Sequence, residues 1–349
     1  MSAREDTAKL CQPAPQYPWI SRLSRRELLR WAGVAGIGSV GAGLVGCSDA
    51  PEQEAATGST TPTSLMAGAT VNGSVLGLLT GVQVNKATVE IVGVGTVTTD
   101  FSGSFSVHFD NVGDFVVKIS AKGFLTRQTR LRLVGNVTIV VTLIETDQNL
   151  TLKFLDQFAR GQGPVADLVP RTPGATNRWL QRPNVLIYRR LDGDRKTVVS
   201  DVRVSKISDA VNSIFSGLTG SVFGFAPSIQ VVDTPPPSER KQIPAGAIGI
   251  FQTADGSRGA GHTGSLSDPN SIAIAHAFTD VGASIGVLTH VFAHALGATE
   301  VATSMPSVMN PDGRSTLTAE DMQAAIALYN RPPGSRAPDT DPDGFFING

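Results

Sequence analysis

His290-Val-Phe-Ala-His294-Ala-Leu-Gly297-Ala-Thr-Glu300 is the part of this chain whose residue types and spacing suit metal chemistry. Two histidines four residues apart share one face of a helix, so both rings can converge on a single ion. Gly297 is placed to end that helix, because glycine adopts the left-handed conformation of a sharp turn without strain. The chain can then turn back and bring Glu300, an oxygen ligand suited to zinc, to a third corner. A hydrolytic zinc site also needs a carboxylate beside the first histidine. Here that position is Val291, which cannot accept the proton of an attacking water.

Other groups are candidates to replace the missing base or to add a ligand. Glu300 as the base would leave only two histidines for the ion. Asp280 precedes the helix expected over residues 281–296 and reads as its N-cap, with Ala283 at N3. His262 falls in a Gly-rich stretch, 256–264, read as a flexible loop. His276 follows a strand expected over 271–275. Both are read as structural or solvated. Ala277-Phe278 and the loop 307–309 supply apolar surface for a peptide-binding groove.

The elements that must position these residues fall into two blocks. Residues 66–146 contain seven short alternating runs, at 70–76, 83–91, 95–99, 103–109, 114–120, 128–133 and 136–143, most of them separated by Gly or Asp/Asn. That pattern predicts a small β-sandwich. Phe124 reads as a core-closing aromatic and His108 as structural or solvent-facing. Residues 150–330 change to a mixed pattern. Strands are expected at 185–188, 229–232, 247–251 and 271–275. Ile207, Val211, Ile214, Phe215 and Leu218 define one helix face, and residues 317–329 form a last amphipathic helix opened by Thr318 with Asp321 at N3.

The ends of the chain bear on where it works. Ser24-Arg-Arg-Glu-Leu-Leu-Arg30 followed by a Gly/Ala/Val-rich segment resembles a twin-arginine export signal, and Leu44-Val-Gly-Cys47 resembles the lipobox of bacterial lipoproteins. The apolar run is shorter than the roughly 20 residues of a membrane span. Residues 1–46 are therefore expected to be removed and Cys47 to carry lipid. Mass spectrometry of the N-terminal peptide should find a lipidated Cys47; an unmodified one in the exported protein would refute this. The remaining 303 residues carry 23 Lys+Arg against 27 Asp+Glu, with no cysteine left to form an internal disulfide. A formal charge of −4 supplies no long-range attraction for nucleic acid. Residues 47–65 read as a flexible tether, and 331–349, with Pro-Pro-Gly and repeated Asp-Pro/Asp-Gly, as a flexible tail.

Two resemblances sharpen these expectations. Val71-Asn-Gly-Ser-Val, Thr98-Thr-Asp-Phe-Ser-Gly-Ser-Phe105 and Gly113-Asp-Phe-Val-Val-Lys-Ile-Ser-Ala-Lys-Gly-Phe124 resemble the carboxypeptidase regulatory-like family, which implies a spacer or weak binder without chemistry of its own. The second block resembles a metzincin metallopeptidase, nearest the matrixin branch. His290 and His294 match the helix ligands, Gly297 the turn glycine, and Glu300 falls where the family has its third histidine. Ser307-Val-Met309-Asn-Pro311 resembles the Met-turn, and Leu317-Thr-Ala-Glu-Asp-Met resembles the start of the closing helix, where Asp321 is expected to bond to the Met-turn backbone. Arg178-Trp179 resembles the opening strand.

The resemblance implies a multi-domain chain, an all-β sandwich followed by an α+β metzincin-like (zincin) domain. It also implies zinc on His290, His294 and Glu300, with Met309 beneath it as a non-ligand. Val291 departs from the family's base. The expectation is thus a lipid-anchored metallopeptidase homologue of the cell envelope, impaired in proteolysis, that holds a peptide or protein in its cleft. The alternatives are an active zinc endopeptidase with an atypical base, and a non-enzymatic envelope or adhesion lipoprotein.

Overall fold

The computed structural model describes residues 68–146, 150–161, 174–224, 226–265, 267–301, 304–310 and 316–347. The expected signal, the Cys47 site and the tether lie outside the described residues. From Leu65 onward the chain forms one compact unit, with an N-terminal β-rich region followed by a mixed α+β region.

The β-rich region has seven strands: β1 (Ala69–Gly77), β2 (Thr88–Ile91), β3 (Gly95–Thr98), β4 (Ser104–Phe109), β5 (Gly113–Ser120), β6 (Arg127–Leu133) and β7 (Val137–Leu143). They form two sheets, β4-β1-β7 and β3-β2-β5-β6. Alternation decides which side chains meet: Val71 and Val75 of β1, Ile139 and Val141 of β7, Val89 and Ile91 of β2 and Leu131 and Leu133 of β6 join one buried core. Phe124 packs against that core, as its position predicts, and His108 faces solvent. The run expected from 83 to 91 becomes a strand only at Thr88; residue 83 makes a single bridge to Leu76.

Helix α1 (Leu152–Arg160) leads into the mixed region. Next come β8 (Arg178–Trp179), β9 (Asn184–Tyr188), helix α2 (Asp201–Leu218), β10 (Ser228–Val232), β11 (Ala247–Thr253), β12 (Gly259–Gly264) and β13 (Ser271–Asp280). Helices α3 (Ile285–Ala295) and α4 (Ala319–Tyr329) follow. The sheet order is β10-β9-β11-β13-β12, with β8 also on β13; β12 is antiparallel to β13, while the other pairs are parallel. One face of the sheet, through Val185, Ile187, Ile248, Ile250, Ala275 and Ala277, packs with α1, α2, α3 and α4 in a second core. The other face carries a smaller cluster around Leu186, Tyr188 and Phe251.

Three local expectations are corrected. The Gly-rich stretch is no loop over its second half, because Gly259–Gly264 is strand β12. Glycine usually weakens a strand, but here it lets a neighbour approach closely. A Cβ at Gly259 would lie 2.8 Å from the Phe278 ring. Helix α3 starts at Ile285 rather than at 281, and its N-cap is Ser284, whose hydroxyl accepts from the Val287 N–H at 3.3 Å. Asp280 instead ends β13, where its carboxylate accepts from Gly282 N–H at 2.7 Å and Gly256 N–H at 3.0 Å.

The third correction concerns the tail. Residues 331–347 are a strap laid along β6. Arg331 and Asp339 form a bidentate pair at 2.7 Å, each almost wholly buried. Arg331 also donates to Thr142 O at 3.0 Å, and Arg127 pairs with buried Asp341 at 2.7 Å. Backbone bonds tie Gln128 to Asp339 and Asp341, and Ile347 to Arg130. Two aspartates of the expected flexible tail, Asp339 and Asp341, are acceptors for two core arginines. The strap also covers the free edge of β6, which would otherwise present unpaired backbone groups.

Candidate metal centre

Helix α3 runs under the sheet with every side chain from Leu288 to Ala295 buried. Its C-terminal carbonyls are satisfied from three directions. Ala293 O accepts from Ala298 N–H, Ala295 O from the Trp179 indole at 3.0 Å, and Leu296 O from the Tyr329 hydroxyl at 2.8 Å. Gly297 then turns the chain at φ +102°. A Cβ there would lie 2.1 Å from Asn177 O, so the position needs glycine for its conformation and for its space.

The turn brings Glu300 back to the two histidines: one ligand atom from each of His290, His294 and Glu300 lies within 4.8 Å of the others. The rings fix what this arrangement can hold. His290 Nδ1 lies 3.0 Å from Val308 O, and His294 Nδ1 lies 2.9 Å from Ala298 O. A carbonyl oxygen only accepts, so each Nδ1 carries the proton. Both Nε2 atoms then present lone pairs to one another across 3.2 Å. Two facing lone pairs repel unless a cation lies between them. A shared proton would charge the pair, but burial pushes His290 below the ordinary imidazole range, only partly offset by the Val308 carbonyl and Glu300. Two imidazole nitrogens and a carboxylate oxygen, with both histidines oriented by carbonyls, are a donor set that fits zinc.

The loop behind His290 is fixed in turn by Asp321. This fully buried carboxylate accepts from Ser307 Oγ at 2.5 Å, from Val308 N–H at 3.1 Å and from Thr318 N–H at 2.9 Å. Thr318 caps α4 and closes a capping box with Asp321, as its spacing predicts. Asp321 thus reaches the backbone beside Met309. Met309 is fully buried, and its carbonyl accepts from Val301 N–H. Sequence reading missed the carbonyls of Val308 and Ala298, since a backbone acceptor carries no residue signature.

The other candidates fall elsewhere. Val291 is 1% exposed and belongs to the helix-side core. His262 is buried on β12 opposite Ala275, on the face turned to the helices, and is not part of the three-residue set. His276 lies opposite Gly261, on the other face, stacked on Phe278. Burial and the Arg240 guanidinium push its pKa down to about 4, so it is neutral at pH 7.

No protein-family model and no curated protein matches the chain. Among solved structures, it is similar to a type II cohesin–X-dockerin complex from Acetivibrio cellulolyticus at 20% identity and a TM-score of 0.21, over 28% of this chain and 78% of that one. It is also similar to a putative membrane-associated protein of unknown function from Bacteroides fragilis, at 18% identity and TM-score 0.19, over 45% of each chain. A putative carbohydrate binding protein from Bacteroides uniformis matches at 18% identity and TM-score 0.19, over 22% of this chain and 41% of that one. Likeness of this size carries no argument about the site.

Proposed function

We propose that this chain is a lipid-anchored envelope protein whose zincin-like, metzincin-type domain keeps a metal centre but lacks the general base, and that it binds an extended peptide rather than cleaving it. In this reading the β-rich region is a β-sandwich spacer of the carboxypeptidase regulatory-like kind. The observation that carries the metal centre is the pair of Nε2 atoms facing each other at 3.2 Å, each with its Nδ1 proton committed to a carbonyl. His290, His294 and Glu300 would hold zinc, which when bound acts as a Lewis acid toward a carbonyl oxygen.

The chain's own residues account for the rest. Val291 offers no proton acceptor at the position next to the first ligand. Among the described residues strand β12 ends the sheet and packs on α3, and its outer edge would offer backbone donors and acceptors to an incoming extended segment. Lipid on Cys47 would keep the chain at the membrane.

Elemental analysis tests the reading. The wild-type protein should carry about one zinc per chain and His290→Ala almost none. Equal metal in both proteins would overturn the ligand assignment.

A further inference from the structure

We infer that Thr299 is the positioning residue of the metal centre, docking the third-ligand loop onto the C-terminus of α1 and so making metal affinity depend on that helix. The inference rests on the metal-centre reading above and concerns a part of the fold that supplies no ligand.

Helix α1 ends at Arg160, and its last four carbonyls have no partner within the helix itself. Thr299 takes up two of them. Its hydroxyl donates to Gln157 O, and its N–H donates to Phe158 O at 2.7 Å. The same hydroxyl accepts from Gly161 N–H at 3.1 Å. Three hydrogen bonds therefore join one residue to one helix end. The approach is close enough to restrict Gly161, where a Cβ would lie 2.6 Å from Gln157 O and 2.9 Å from Thr299 Oγ1.

Glu300 is the next residue, and its neighbours are held as well. Ala298 O takes the His294 ring proton, and Val301 N–H donates to Met309 O at 3.2 Å. Val301 is tied to the loop behind His290, whereas Thr299 reaches α1, a helix that supplies none of the three ligands. Helix α1 is in turn held from several sides. Phe154, Leu155 and Phe158 share the helix-side core with Leu79, Leu125 and Ile144 of the β-rich region. Arg160 donates to Pro338 O of the strap at 3.2 Å. The third-ligand loop, which also holds the Ala298 carbonyl that orients His294, is thus braced against the junction of the two regions, whereas His290 is set by α3 and the loop behind it.

The test is zinc affinity of the full chain, read by competition with a chromophoric chelator. Thr299→Val keeps the shape but removes the hydroxyl, leaving Gly161 N–H without this acceptor. It should weaken zinc binding about 10–100-fold, the usual effect of losing a group that orients a ligand. Thr299→Ser keeps the hydroxyl and should bind zinc as the wild type does. Urea unfolding of the zinc-free proteins separates positioning from folding. A purely structural threonine would lower apo stability in the valine variant and leave zinc affinity unchanged, and that result would overturn the inference. So would a serine variant that loses as much affinity as the valine one. Absence of zinc binding by the unaltered protein is a different result, and it would overturn the metal-centre reading itself.

Discussion

Val291→Glu should raise chelator-sensitive hydrolysis of unstructured protein substrates by about 10²–10⁴-fold over the unaltered chain, the usual worth of a positioned acid–base group. His294→Ala in the same background should abolish the gain. The substitution puts a carboxylate on α3 beside the first ligand and gives an attacking water a proton acceptor. Val291 is 1% exposed, so the new group enters a site that disfavours charge. Its pKa should rise toward neutrality, where a general base is effective, and the fold should lose about 1–3 kcal/mol. Substrate cleavage and thermal unfolding, each with and without zinc, separate the two effects. Robust chelator-sensitive proteolysis by the wild-type protein would show that another base serves the site. A folded, zinc-loaded variant without activity would leave peptide binding as the chemistry this cleft supports.

The second large effect lies in the C-terminal strap. Asp339→Ala should cost about 3–5 kcal/mol in urea unfolding, because it leaves Arg331, 1% exposed, as a buried cation without its carboxylate. The comparison is Asp343→Ala, which removes a carboxylate that is 94% exposed and pairs with Arg130 at the surface. That change should stay within about 0.5 kcal/mol. Both variants remove one aspartate from the same strap, so similar midpoints would show that the buried pair does not anchor it.

How much of this was legible in the sequence follows from which signals are local. Strict alternation marked the β-rich strands to within a residue or two at most ends, because most of them bury one face. Apolar spacing marked α2, and Thr318 with Asp321 marked the start of α4. The start of α3 was misjudged because the apolar run from Val281 continues through a turn, and the hydroxyl of Ser284 decides where the helix begins. Strand β12 was hidden by its glycines, of which Gly259 admits the Phe278 ring and Gly264 the backbone of Pro269. The three metal-centre side chains were legible because their spacing sets their geometry. Their supports were not, since the Val308 and Ala298 carbonyls and the Thr299 hydroxyl act across turns that only tertiary packing fixes. The strap was misread for a related reason. Pro, Gly and Asp favour turns, but nothing local shows that Asp339 and Asp341 meet arginines, the partner of Asp341 lying more than 200 positions upstream.

The strap also sets a schedule on the ribosome. Strand β6 is made before the mixed region, but the residues that cover its edge and neutralise Arg127 follow that region. A nascent chain halted before Asp339 holds both arginines without their acceptors and a sheet edge open to any other strand. The β-rich region, made before the mixed region, is therefore completed only after it, and products stalled or truncated before the strap carry their exposed edge in the region that looks most self-sufficient.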